Sequence, residues 1–340
     1  MHPHLDAWTR LEGENLGGSG VFQVRLFGES SLDLFALLDL PEGKVGIQLQ
    51  VAARSVPAVG AYPSAAGFRT RVERSGAKTR ITLLLEQREF RSVFGEMCFD
   101  VLRACLRAGS DETRAVHELV DRLVAWKELF SGAGARPLGE REQMGLVGEL
   151  TFLDALLDRS VDPAEAVKAW RGPFSDPHDF HVGAVHIEVK STGATDARVT
   201  RISNLAQLDP AGTTALFLWH YRFEMDSGGG GRSLHGLVEK LRARLETARP
   251  EVRANFDDCL LKLGYLDLHA SEHYDVIALA VRQTRTLKIG PDFPSLTRSS
   301  VPTSVREARY DLSFDHVSSD HDVRLDEAMA EICSAVASNQ

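Results

Sequence analysis

The sequence predicts an α/β (α+β) protein: a core of mixed β-sheet flanked by helices, preceded by a β-rich N-terminal domain. Three observations carry that expectation. Period-two apolar runs crowd residues 1–93, as strands with one buried face require. From about 139 to 222 the pattern changes to helix, strands, helix, strand, which marks an α/β unit. Two glycine-rich breaks, Ser131 to Pro137 and Ser227 to Gly231, divide the chain into 1–137, 138–226 and 227–340. The last segment is expected as an α/β extension packed on the core.

Taken in order, the clearest early strands are Val21–Phe27, Val45–Val51 and Thr79–Glu86. Helices follow near 94–107 and 112–130, where apolar residues recur at three- and four-residue spacings. A helix over 139–158 opens the core, with Leu146, Leu150, Leu153 and Leu157 as its buried stripe. Strands near 182–190 and 214–222 flank a short helix at 203–208. The run Gly228–Gly231 lacks a following Lys-Ser/Thr and so reads as a surface linker, not a phosphate loop. Beyond it come an amphipathic helix on Leu234, Leu237, Val238, Leu241 and Leu245, and a second helix at 251–263. Strands near 274–281 and 308–312 and a last helix at 322–337 complete the chain.

Composition narrows the class. At 340 residues, 43% hydrophobic and 26% charged, the chain can bury real cores and is not a mainly disordered one. No apolar run approaches the roughly 20 residues that span a bilayer. The start, Met1 to Asp6, lacks the basic and apolar regions of a signal peptide, so the expected address is the cytoplasm, with no membrane partner. Four cysteines are too few for a disulfide framework; Cys98 and Cys105 read as small core residues of a helix. A net charge of −9 argues against non-specific coating of nucleic acid, which depends on Lys and Arg. It leaves room for an enzyme with local basic patches.

The chemistry concentrates in one stretch. Pro177-His178-Asp179 is followed by Glu188-Val189-Lys190, and Gly183–Lys190 reads as a strand. Val185, Ile187 and Val189 would face one way, and His186, Glu188 and Lys190 the other. Glu188 and Lys190 would then project side by side, about 6.7 Å apart along the strand. A turn at 182–184 would bring Asp179 back alongside on a preceding strand. Two converging carboxylates repel unless a cation lies between them, so the arrangement points to a metal site. Glu149, on the 139–158 helix, offers a third acid. Gly145 and Gly148 beside it cost that helix roughly 1 kcal/mol each, which a close backbone approach would offset. The plain alternative is an edge strand with a solvated salt bridge and a solvated helix glutamate.

Five blocks in order carry a resemblance: Gly145–Leu150, Ala169–Pro173, His178-Asp179-Phe180, Ile187–Lys190 and Ile202–Leu208. They are similar to the PD-(D/E)XK nuclease superfamily, and more narrowly to a bacterial branch of PD-(D/E)XK motif proteins found among restriction and phage-defence genes. His178 stands where the superfamily has its proline, which is displaced to Pro177; that proline is structural, so metal binding stays in place. The resemblance implies a restriction-endonuclease-like core and phosphodiester hydrolysis leaving a 5′-phosphate. It implies Mg²⁺, with Mn²⁺ as a substitute, on Asp179 and Glu188. Glu149 would hold a second ion or orient the first one's waters. Lys190 would orient or deprotonate the attacking water, and Gln207 would fix Lys190 or the water.

The implied function is a Mg²⁺-dependent DNA endonuclease, restriction-like, directed against foreign DNA. Double-stranded DNA would be the partner, with a homodimer or other defence-system proteins needed to cut both strands, and residues 1–137 would serve recognition or assembly. A non-cleaving DNA-binding or scaffold subunit and a repair-type nicking endonuclease are the alternatives. Candidate DNA contacts are Arg69, Arg71, Arg74, Lys78 and Arg80 on a hairpin about Ser75-Gly76, together with Arg171 and His178. Arg232, Lys240, Arg242 and Arg244 form a second basic group. His178, His181 and His186 are close in sequence, but with no cysteine or fourth ligand suitably spaced the reading prefers solvated or phosphate-facing histidines to zinc.

Overall fold

The computed structural model describes residues 2–14, 16–57, 62–131, 136–193, 198–226 and 230–337. They form two compact units, Met1–Arg136 and Pro137–Gln340. Most of the two expected glycine-rich breaks, at 132–135 and 227–229, lies outside the described residues. Among the described residues no helix is long and apolar enough to cross a membrane.

The first unit opens with a helix, α1 (Pro3–Gly13), where the sequence reading expects strands. Its buried residues His4, Ala7, Trp8 and Leu11 follow the i, i+3, i+4, i+7 spacing of one helix face. Pro3 suits the first turn, where its missing N–H is not needed. Five antiparallel strands follow: β1 (Gly20–Leu26), β2 (Asp33–Leu40), β3 (Lys44–Ala52), β4 (Phe68–Ser75) and β5 (Lys78–Leu85), in sheet order β1-β2-β3-β5-β4. Val45, Ile47 and Leu49 alternate into the core and are at most 3% exposed. Helices α2 (Arg91–Arg107) and α3 (Glu112–Ser131) complete the unit, with Cys98 and Cys105 buried on α2. Trp8 ties α1 to both layers: its indole donates to the Gly46 carbonyl at 2.8 Å and stacks on Phe94 of α2.

The second unit begins with α4 (Glu140–Asp158) and α5 (Pro163–Ala169), the latter capped by the Asp162 carboxylate, which accepts from the Ala164 and Glu165 amides. Then come β6 (Phe180–Val182), β7 (Val185–Thr192), β8 (Val199–Ile202) and β9 (Ala215–Met225). After them run α6 (Leu234–Leu245), α7 (Pro250–Lys262), β10 (Leu279–Ile289), β11 (Tyr310–Ser313) and α8 (Leu325–Ala337). The main sheet has order β10-β9-β7-β6; β7 and β9 are parallel and the other pairs antiparallel, so the sheet is mixed as expected. β8 and β11 make a separate two-stranded pair. Residues 227–340 are not a unit of their own, because β10 hydrogen bonds to β9 and α6 packs on α4.

Each face of the sheet has its own core. Val185, Ile187 and Val189 pack with Phe217 and Trp219 of β9 and with Leu146, Leu150 and Leu153 of α4. Burial of each such aliphatic side chain stabilises the fold by about 1.5–3 kcal/mol. On the other face Leu216 and Leu218 join Ile202, Leu287 and Phe314 in a smaller cluster. His186, Glu188 and Lys190 lie on that second side, in register with Leu216, Leu218 and His220. Two expectations shift here. The 203–208 segment is a turn, not a helix, and the strand expected at 274–281 runs over 279–289.

Candidate active site

The site starts from the β6–β7 hairpin. Its two-residue connection, Gly183-Ala184, needs Gly183 at φ +62°, a left-handed conformation that glycine adopts without steric cost. The register pairs Phe180 with Ile187, which sets Asp179 across from Glu188. Asp179 Oδ2 accepts the Val189 amide at 2.7 Å, so its carboxylate is fixed against β7. The Asp179 main-chain carbonyl accepts from the Arg171 and Gly172 amides at 2.7 and 3.1 Å, which draws the 170–172 segment over the site.

That segment brings in Glu149. The Trp170 indole, fully buried, donates to Glu149 Oε2 at 2.7 Å. A side chain begun at Gly172 would reach a point 2.5 Å from Glu149 Oε2 and 3.4 Å from Asp179 Oδ1. Glycine there keeps the space before the two acids clear. Gly148 meets the expected close approach: a Cβ on it would fall 1.9 Å from Ser191 Oγ of β7. Gly145 does not, since open space surrounds it.

Lys190 completes the group. Its Nζ lies 2.6 Å from Glu188 Oε1 and donates to Gln207 Oε1 at 3.2 Å. Gln207 is held by a turn in which Asn204 Oδ1 accepts from the Ala206 and Gln207 amides, and its Oε1 also accepts from the Ser203 amide. The structure therefore joins Glu149, Asp179, Glu188, Lys190 and Gln207 in one place.

Charge is poorly satisfied within that group. Glu188 is 1% exposed; its Oε1 meets only Lys190, and its Oε2 has no hydrogen-bond partner among the described residues. Burial first, and then the charge of Asp179, hold the Glu188 carboxyl well above the usual range, with Lys190 pulling the other way. The same two causes push Glu149 up to about 8, against the Trp170 hydrogen bond and Lys190. Burial raises Asp179 despite Lys190 and the Val189 amide. On Lys190 burial acts downward, but the neighbouring carboxylates outweigh it and the ammonium titrates above its ordinary value. Three acids crowded this way would exchange their protons for a divalent cation, and their hard oxygens suit Mg²⁺ or Mn²⁺. The uncapped Glu188 Oε2 and the cleared space at Gly172 fit such an ion.

The basic residues expected to meet DNA lie on the hairpin the sequence predicts, and most of them already pair with acids. Register puts Arg69, Arg71, Lys78 and Arg80 on one face of the β4–β5 hairpin and Arg74 on the other. Arg69 pairs with Glu86, Arg71 with Asp39 and Lys78 with Asp33, at 3.1–3.3 Å. Arg171 Nε meets Asp176 at 2.6 Å while its guanidinium covers the Phe174 ring. His178, expected to face solvent or phosphate, is 4% exposed and turns to His186. Lys240, Arg242 and Arg244 are braces within the second unit: Lys240 and Arg244 tie α6 to Asp154 of α4, and Arg242 bonds Asp257 of α7. Trp170 and Gly172 lie in a block the sequence singled out, but their contact with the acids depends on the fold-back of 170–172 and had no local signal.

A mixed sheet with an Asp before a hairpin, Glu-x-Lys on the next strand, a helix Glu and a Gln behind them defines a PD-(D/E)XK protein. The chain belongs to the family described as "Putative PD-(D/E)XK family member, (DUF4420)", whose model matches residues 5–315. That membership suggests a nuclease. No curated protein and no solved structure matches the chain.

Proposed function

We propose that this protein is a Mg²⁺-dependent DNA endonuclease, restriction-like, that acts against foreign DNA. The observation that carries the reading is the buried Glu188 carboxylate, facing Asp179, with Oε1 held by Lys190 and Oε2 without a partner among the described residues. Asp179 and Glu188 would hold the ion, with Glu149 beside them. When bound, it would supply Lewis acidity at a phosphate and a water of lowered pKa.

The chain's own groups do the rest. Lys190, positioned by Gln207, would orient the attacking water and meet charge developing on the phosphate. Trp170 fixes the rotamer of Glu149, and the Val189 amide fixes that of Asp179. Gly172 leaves room for the scissile group. Cutting both strands of a duplex calls for two such centres, hence a homodimer or a defence-system partner.

Plasmid DNA, methylated and unmethylated, incubated with Mg²⁺ or Mn²⁺ tests the reading. The wild type should nick or cut, and Glu188→Ala and Lys190→Ala should lose activity by at least about 100-fold, the scale of a lost acid–base group. Equal cleavage by the wild type and both variants would remove the assignment.

A further inference from the structure

We infer that His178, His181 and His186 form a second metal site, for one borderline transition ion such as Zn²⁺, sharing no ligand with the carboxylate centre. The β6–β7 register sets His181 directly opposite His186, and their rings stack at 3.9 Å with 6° between planes. His178 folds in from the preceding turn until its Nδ1 is 3.1 Å from His186 Nδ1. One nitrogen from each of the three rings lies within 4.8 Å of the others. Nitrogens about 2.0–2.1 Å from a tetrahedral zinc are roughly 3.3 Å apart, so the His178–His186 pair already has the spacing and a nitrogen of His181 lies within 4.8 Å of both.

Hydrogen bonding alone does not account for the convergence. A single proton shared between His178 and His186 leaves His181 Nε2 buried with no hydrogen-bond partner among the described residues. His178 Nε2 is likewise buried without a hydrogen-bond partner among the described residues. Around the group stand Asp176 and its partner Arg171, whose charges reach the rings. Three imidazoles with a fourth position left for water favour Zn²⁺ or Co²⁺, whereas the acid centre's oxygens favour Mg²⁺. The sequence reading dismissed zinc for want of a fourth ligand; an open site needs only three from the protein. A second grouping, His235, Glu239 and Asp267, is weaker, because Arg242 already engages both of its acids.

The ion would clasp the hairpin that carries Asp179 and Glu188. This inference stands without the nuclease reading. It is tested on full-length protein stripped with chelator and titrated with Co²⁺ in excess Mg²⁺. Expected are one equivalent bound, the visible absorption of four-coordinate Co²⁺, and its loss on adding Zn²⁺. His181→Ala and His186→Ala should bind Co²⁺ at least about 100-fold more weakly, while Glu188→Gln should bind it as the wild type does. Should either histidine variant fail to fold, X-ray absorption of the Zn²⁺-loaded wild type replaces it, with three imidazoles expected. Unchanged Co²⁺ binding in both histidine variants, loss of binding in Glu188→Gln, or fewer than three imidazoles on the zinc would overturn the site.

Discussion

At the scale of single residues, burial rather than composition decides how the molecule responds to pH. Glu149 has an ordinary value of 4.5 and stands near 8 in the fold, so between those values the folded protein holds more protons than the unfolded chain. Its contribution to stability is full below about 4.5 and is lost as pH rises through about 8. A divalent ion that displaces those protons reverses the trend. Thermal melts should therefore show a Mg²⁺-induced gain in Tm that is larger at pH 8 than at pH 5, and Glu149→Gln should flatten the difference. His4 runs the other way. Burial lowers it from 6.5 to about 4, so the stability tied to its neutral ring is present above 6.5 and is lost as pH falls toward 4. Melts of His4→Gln between pH 7 and 4.5 should lose part of the wild type's acid sensitivity.

Elements show where sequence reading succeeds and where packing overrides it. β7 was legible because its Val185, Ile187 and Val189 alternate with polar residues on the opposite face, and alternation is a local property. The turn at 203–208 was misread as helix because apolar spacing hid its real determinant, the Asn204 carboxamide satisfying two following amides. β10 was displaced because Arg285 and Lys288 make it look like surface; ion pairs to Asp322 and Glu331 accommodate them in a strand. The three histidines were visible in the sequence, but only the hairpin register could show that their rings meet. α4 allows a paired test of packing against propensity. Gly145→Ala has open space and should stabilise by about 1 kcal/mol, as helix propensity dictates. Gly148→Ala must displace Ser191 and should destabilise by about 1–3 kcal/mol. Chemical denaturation of the two variants should give shifts of opposite sign.

For the whole molecule, the division at Arg136 and Pro137 places every candidate metal ligand in the second unit, which has its own hydrophobic cores. A 137–340 fragment should fold and bind Mn²⁺ with the affinity of the full chain, as calorimetry would show. Loss of Mn²⁺ binding by a folded fragment would mean that the first unit contributes to the acid centre. The hydrogen bond from the Val189 amide to Asp179 has a practical consequence. Truncating that side chain to alanine strands a backbone donor, so such a variant could fall silent through damage alone. Asparagine keeps an acceptor in the same place while removing the negative charge. If the proposed nuclease reading holds, Asp179→Asn should thus yield an intact decoy that retains DNA without cutting it, and sequencing what it retains from a DNA library tests that reading.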